Sequence, residues 1–175
     1  MNDLGFHIEL NTKAISEQGE FSGYASVFGN EDMGRDVIVA GAFAKSLQRR
    51  PADKVKMLRQ HDGEEPIGIW TDLAEDRKGL KATGRLILET TKGRETHALM
   101  RAGALDGLSI GFRTLKDRFD RPKGIRYVEE VDLVEISVVT FPMNDRATVS
   151  TVKAHDADHA RALVAAINRV RQELK

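Results

Sequence analysis

The sequence predicts a mainly β fold with a few helices: an antiparallel barrel or sandwich of about seven or eight strands built from 175 residues. Three observations lead there. Short runs of alternating apolar residues are punctuated by Gly, Pro and Asp turns from Phe6 to Phe141. Only two short helical segments interrupt them, so helical crossovers do not alternate with strands as a parallel βαβ sheet requires. A chain of this length also buries about 70% of its unfolded surface around a single core.

The elements follow in order. GFHIEL alternates Phe6, Ile8 and Leu10 as a first strand, and FSGYASVFGN is a second that ends at a Gly-Asn break. EDMGRDVIVAGAF reads as an ordered loop. It leads into GAFAKSLQRR, where Phe43 and Leu47 share a helical face and Pro51 closes the segment. DKVKMLRQHDGEEPIGIW reads as a hairpin turning at Asp62-Gly63, and LKATGRLIL as another strand. TKGRETHALMRAG is helical, with Gly103 as its C-terminal cap. LDGLSIGFRTLKDRF, the turn DRPKG and IRYVEEVDLVEISVVTF supply two or three more strands, ended by Pro142.

These elements define one domain over residues 1–147, followed by a linker and C-terminal amphipathic helix over 148–175. MNDRATVSTVKAH is small and polar. After it, Ala160, Leu163, Ile167, Val170 and Leu174 make a narrow apolar seam, too short for an isolated coiled coil and expected to pack back onto the domain.

Composition removes several kinds of function. With no cysteine, disulfides, thiolate metal sites and cysteine nucleophiles are excluded. Lysine plus arginine and aspartate plus glutamate number 27 each, so no bulk field attracts nucleic acid or an anionic membrane. Neither a bilayer-spanning segment nor a secretory signal is visible.

Chemistry is therefore sought in a serine activated by a base. In GALDGLSIGF, strand alternation turns Leu108, Ile110 and Phe112 toward a core and leaves Ser109, Gly111 and Arg113 on the other side. Glycines flank this hydroxyl, as an approaching peptide would need, though an ordinary solvent-facing serine fits the same pattern. His61 stands at a strand end beside the Asp62-Gly63 turn, where histidines are usually plain surface residues. In DLVEISVVTFP, Leu133, Glu135, Ser137 and Val139 fall on one side of a strand. A carboxylate in so apolar a segment requires a partner: Arg113, Arg126 or His61 all qualify. Ser137 is a rival nucleophile with less backbone room than Ser109. His155 and His159 stand four apart but have no accompanying carboxylate motif, so no metal site is expected.

GYASVFGNEDMGRDVIVAGAFAKSL, MLRQHDGEEPIG, GALDGLSIGF and VDLVEISVVTFPMNDRA, from Gly23 to Ala147, resemble the successive signature blocks of the tailed-phage prohead proteases, capsid maturation serine proteases related in fold to herpesvirus assemblin. The resemblance implies an assemblin-like β-barrel with Ser109 as nucleophile and His61 as general base. For the third member, the chain-order equivalent in LVEIS selects Glu135, because His97 precedes the serine. Oxyanion donors are expected among the backbone N–H groups of Asn144, Asp145 and Arg146, or near Gly111.

On this resemblance the chain is expected to be a cofactor-free serine endopeptidase. It would cleave scaffold or capsid-protein segments, and itself, inside the assembling procapsid in the host cytoplasm, as a homodimer or attached to the shell. The rival from another class is a catalytically silent barrel serving as an assembly module. A G-x-S-x-G esterase elbow also fits GLSIG by letters, but the elbow needs a strand, a sharp turn and a helix, whereas Ser109 lies inside a continuous β-like run.

Overall fold

A computed structural model describes residues 15–150. Eight strands and two α-helices occur in the order β1 (Glu20–Val27), β2 (Asp36–Ile38), α1 (Ala44–Arg49), β3 (Lys56–Arg59), β4 (Asp62–Glu75), β5 (Gly79–Leu86), α2 (Thr91–Arg101), β6 (Gly107–Asp120), β7 (Ile125–Val139) and β8 (Val149–Ser150). The expected strand at GFHIEL, the C-terminal helix, and His7, His155 and His159 lie outside the described residues. No described helix is long and apolar enough to cross a membrane.

The predicted mainly β architecture with short inserted helices is present. All eight strands form one sheet in the order β2, β7, β3, β4, β5, β1, β8, with β6 also paired to β7. Two pairings depart from the antiparallel expectation: β2 and β3 both run parallel to β7. Helix α1 joins them, so this crossover serves two strands that pair with different stretches of β7. Asp36–Ile38, expected to be loop, is the short strand β2, and its partners Arg126–Val128 come from far along the chain.

The ends of the sheet approach each other through residues 147–150. Val149 and Ser150 pair with Gly23 and Ser22 of β1, while the Leu108 N–H donates to the Ala147 carbonyl at 2.9 Å and the Val149 N–H to the Asp106 carbonyl at 2.8 Å. The curl is thus fastened at one end, where β6 begins. Thr148 to Ser150, assigned from composition to a linker, belong to the sheet.

The core explains why these segments hold. Trp70, Phe21, Phe43, Met57, Leu108 and Ile136 are at most 1% exposed, and the Phe21 ring meets Trp70 edge-on with centroids 5.5 Å apart. Helix α2 starts at Thr90, whose hydroxyl accepts the Gly93 N–H. It ends as expected at Gly103, whose φ of 71° reverses the chain.

Two local irregularities shape the surroundings of Ser109. The β3–β4 hairpin turns at Gln60-His61, not at Asp62-Gly63: Arg59 pairs with Asp62, and Gln60 and His61 take φ values of 54° and 61°. Two central residues at positive φ define a type I′ turn, for which Asn-Gly or Asp-Gly is the favoured sequence. Here the pairing of β3 with β7 fixes the register and overrides that preference. The second irregularity is in β7, where Gly111 pairs with Glu135 but Phe112 with Leu133, so Val134 is a bulged extra residue. Leu133, expected beside Glu135, therefore turns into the core at 0% exposure. Its N–H, displaced by the bulge, donates to the buried Ser46 hydroxyl of α1 at 2.9 Å.

Candidate active site

Beyond the bulge, Ser109 lies opposite Ser137 and Gly111 opposite Glu135. Residues directly opposite on paired strands share a face, so both hydroxyls and the carboxylate lie on one side of the β6–β7 ribbon while Leu108, Ile136 and Val138 fill the core behind them. Ser109 is only 4% exposed: it faces out of the sheet, as alternation requires, but the β3–β4 turn folds over it. Gly111 supplies room for the carboxylate, since a Cβ there would overlap Glu135 Oε1 and stand 2.8 Å from Cδ.

The left-handed backbone of His61 aims its ring back over the ribbon. Nδ1 lies 2.6 Å from Glu135 Oε1 and Nε2 lies 2.9 Å from Ser109 Oγ. A carboxylate only accepts, so Nδ1 carries the proton and Nε2 presents its lone pair to the serine hydroxyl. The hydrogen bond that His61 donates to Glu135 raises the His61 pKa above 6.5, the negative charge of Glu135 adds to the rise, and burial opposes both.

Two further groups hold this arrangement. The Ser137 hydroxyl, fully buried, donates to Glu135 Oε2 at 2.7 Å and accepts the His61 backbone N–H at 3.1 Å. It fixes carboxylate and turn together. The side chain of Gln60 grips Thr140, its amide donating to the Thr140 hydroxyl at 2.7 Å and its carbonyl oxygen accepting the Thr140 N–H at 3.3 Å. These contacts hold a strained turn in one conformation. One rival partner of Glu135, Arg126, pairs with Asp36 instead.

The 142–147 turn lies beside the same serine. Asn144, 8% exposed, donates to the Val27 carbonyl at 3.1 Å and accepts from Asn30 and from the Arg146 N–H. The Arg146 N–H is thus committed within the turn, leaving those of Asn144 and Asp145 as candidate oxyanion donors. His97 is not part of this cluster, its Nε2 lying 2.8 Å from the Ser16 carbonyl. Among the described residues no group of three or more metal-ligating side chains is found.

Three features were not read from the sequence: the bridging hydroxyl of Ser137, the Gln60–Thr140 grip, and a cavity of about 140 Å³ bordered by Ser109, β1, β2 and Met143–Asn144. The polar spacing of Glu135 and Ser137 signalled the first. The others arise from elements remote in sequence.

Comparison with known proteins adds an independent line. A family model described as caudovirus prohead serine protease matches residues 7–162. The prohead protease of Enterobacteria phage HK97 is 36% identical over 149 residues, covering 85% of this chain and 66% of that protein. The prohead protease of Escherichia phage T5 is 28% identical over 172 residues, covering 93% of this chain and 80% of that one. The chain thus spans about two thirds of the HK97 relative. Among solved structures, the capsid assembly protease of bacteriophage T4 aligns with a TM-score of 0.56 at 16% identity over 69% of this chain and 80% of the other; at that identity the likeness concerns the fold.

Proposed function

Because the chain belongs to the caudovirus prohead serine protease family, we propose that it is a serine endopeptidase with Ser109 as nucleophile, His61 as general base and acid, and Glu135 orienting the imidazole. The observation that carries this reading is the relay of two contacts, 2.9 Å from Ser109 Oγ to His61 Nε2 and 2.6 Å from His61 Nδ1 to Glu135. In acylation, His61 Nε2 takes the hydroxyl proton as Oγ attacks the peptide carbonyl. Glu135 stabilises the imidazolium without taking its proton. The Asn144 and Asp145 N–H groups are the proposed donors to the oxyanion. His61 then protonates the leaving amine, activates a water that attacks the acyl-enzyme, and returns the proton to Ser109. None of these steps calls for a cofactor.

The substrate we propose is an extended, loosely folded segment of scaffold or capsid protein, or of this chain itself, cut within the procapsid by a protease working as a homodimer or attached to the shell. The free edge of β6 supports this. Among the described residues that edge is paired only at its start, with Thr148, so the backbone beside Ser109 is open to an added peptide strand. The exposed Met143, which borders the cavity beside Ser109, and Met33 bonded to its backbone offer apolar contacts nearby.

The test is co-expression of the wild-type chain or Ser109→Ala with the capsid and scaffold proteins of the same phage, with products mapped by mass spectrometry. Cleavage by the wild type, reduced at least about a thousandfold in the variant, is expected. Equal processing by both removes Ser109 as nucleophile, and normal assembly without any cleavage favours the assembly-module reading.

A further inference from the structure

Asn144 and Ser109 line the same cavity, and the segment that carries Asn144 and Asp145 is gripped by a side chain 114 residues earlier in the chain. Asn30, in the connection between β1 and β2, donates from Nδ2 to Asn144 Oδ1 at 3.1 Å and to Asp145 Oδ1 at 2.9 Å. The senses of these bonds are forced. An ionised carboxylate only accepts, so Asn30 must turn its NH2 group toward Asp145. Asn144 commits its own NH2 group to the Val27 carbonyl, which leaves Oδ1 to receive both Asn30 and the Arg146 N–H. One amide thus ties together the two residues whose backbone N–H groups donate to no other backbone group among the described residues.

The connection that bears Asn30 is braced on both sides. Asp32 Oδ1 accepts the Gly34 and Asp36 N–H groups at 2.8 and 2.9 Å, closing a turn on itself. The Arg35 guanidinium donates to the Lys123 and Gly124 carbonyls at the far end of the β6–β7 hairpin. A second, independent bond from the same connection reaches the segment: the Met33 N–H donates to the Met143 carbonyl at 3.0 Å, one residue ahead of Asn144. Asn30 itself makes no hydrogen bond to Ser109, His61 or Glu135, so it has no part in the proton relay.

Resting on the reading of Ser109 as nucleophile and of the 144–145 amides as oxyanion donors, we propose that Asn30 is a positioning residue for that reaction. It sets the direction of the Asn144 and Asp145 N–H groups toward the carbonyl oxygen that becomes negative. Such donors are effective only when aimed beforehand at the place where charge develops.

Hydrolysis of 4-nitrophenyl acetate and of its thiono analogue, whose carbonyl oxygen is replaced by sulfur, tests this on the full chain. Sulfur accepts hydrogen bonds weakly, so the oxygen-to-sulfur rate ratio reports the donors, whereas a folding or base defect lowers both rates alike. Asn30→Ala is expected to slow the oxygen ester about ten- to a hundredfold, less than deleting a donor outright, and to leave the thiono ester nearly unchanged. Asn30→Ser, with one shorter donor, should fall between Asn30→Ala and the wild type, and Asn30→Asp, whose carboxylate faces Asp145, should be slowest. The pH of half-maximal ester rate should not move, since His61 keeps Glu135. Equal loss of both rates, a ratio unchanged in all three variants, or a loss that comes with a shift of that pH overturns the inference and leaves Ser109 standing. If a fluorophosphonate neither labels Ser109 nor blocks hydrolysis in the wild type, the underlying reading fails and the inference with it.

Discussion

Gly111 and Glu135 face each other across β6 and β7, and the space a side chain would fill on the first is occupied by the carboxylate of the second. The glycine is therefore a steric requirement of the His61–Glu135 contact.

Gly111→Ala should accordingly displace the carboxylate while leaving the core behind it intact. We expect a loss of kcat of about a hundredfold or more with a native circular dichroism spectrum, since misplacing the group that orients a base by about 1 Å is costly. Unchanged turnover would show that Glu135 can reach His61 by another path.

Glu135 also sets a pH signature. It raises the His61 pKa, and a general base must be neutral to accept a proton, so kcat/KM should rise with pH through a value above the ordinary 6.5. Glu135→Gln should move that limb downward and lower kcat by about 10⁴, the size seen when a triad acid becomes its amide. A pH profile of both proteins measures it. A limb at the same pH in both would remove Glu135 as the cause.

The same pair links folding to pH. Since the folded-state pKa of His61 is raised, its contribution to stability is fully present below 6.5 and is lost as pH rises through the raised value. Denaturant titrations from about pH 5 to 9 should show this decline in the wild type and a flatter profile in Glu135→Gln. An equally steep decline in the variant would assign the effect elsewhere.

Ser137 separates positioning from attack. Ser137→Ala removes its hydrogen bond to Glu135 and leaves the His61 N–H without its acceptor, so it should cost about 1–3 kcal/mol of stability and slow turnover about ten- to a hundredfold. Fluorophosphonate should still modify Ser109. Loss of all labelling in Ser137→Ala together with full labelling in Ser109→Ala would make Ser137 the nucleophile.

Much of this geometry comes from local rules. Period-two alternation placed Ser109 and Gly111 on one side of β6 and Glu135 and Ser137 on one side of β7, and the register brings those sides together. The bulge was hidden because Leu133 and Val134 are both apolar, so an inserted residue leaves the hydrophobic pattern unbroken. The position of the β3–β4 turn is hidden for a related reason. Asp62-Gly63 carries the intrinsic preference, but the pairing of β3 with β7 and the grip of Gln60 on Thr140 outweigh it, and both involve chain about eighty residues away. Strand β2 is illegible in the sequence because three residues carry too little pattern. The cavity was invisible since Ser26, Asp32 and Ser109 meet only in the folded chain.

The seam at residues 147–149 grips β6 just ahead of Ser109. Ser109 follows directly on Leu108, the residue held by Ala147, so the placement of its hydroxyl is anchored by backbone that lies about forty residues later in the chain.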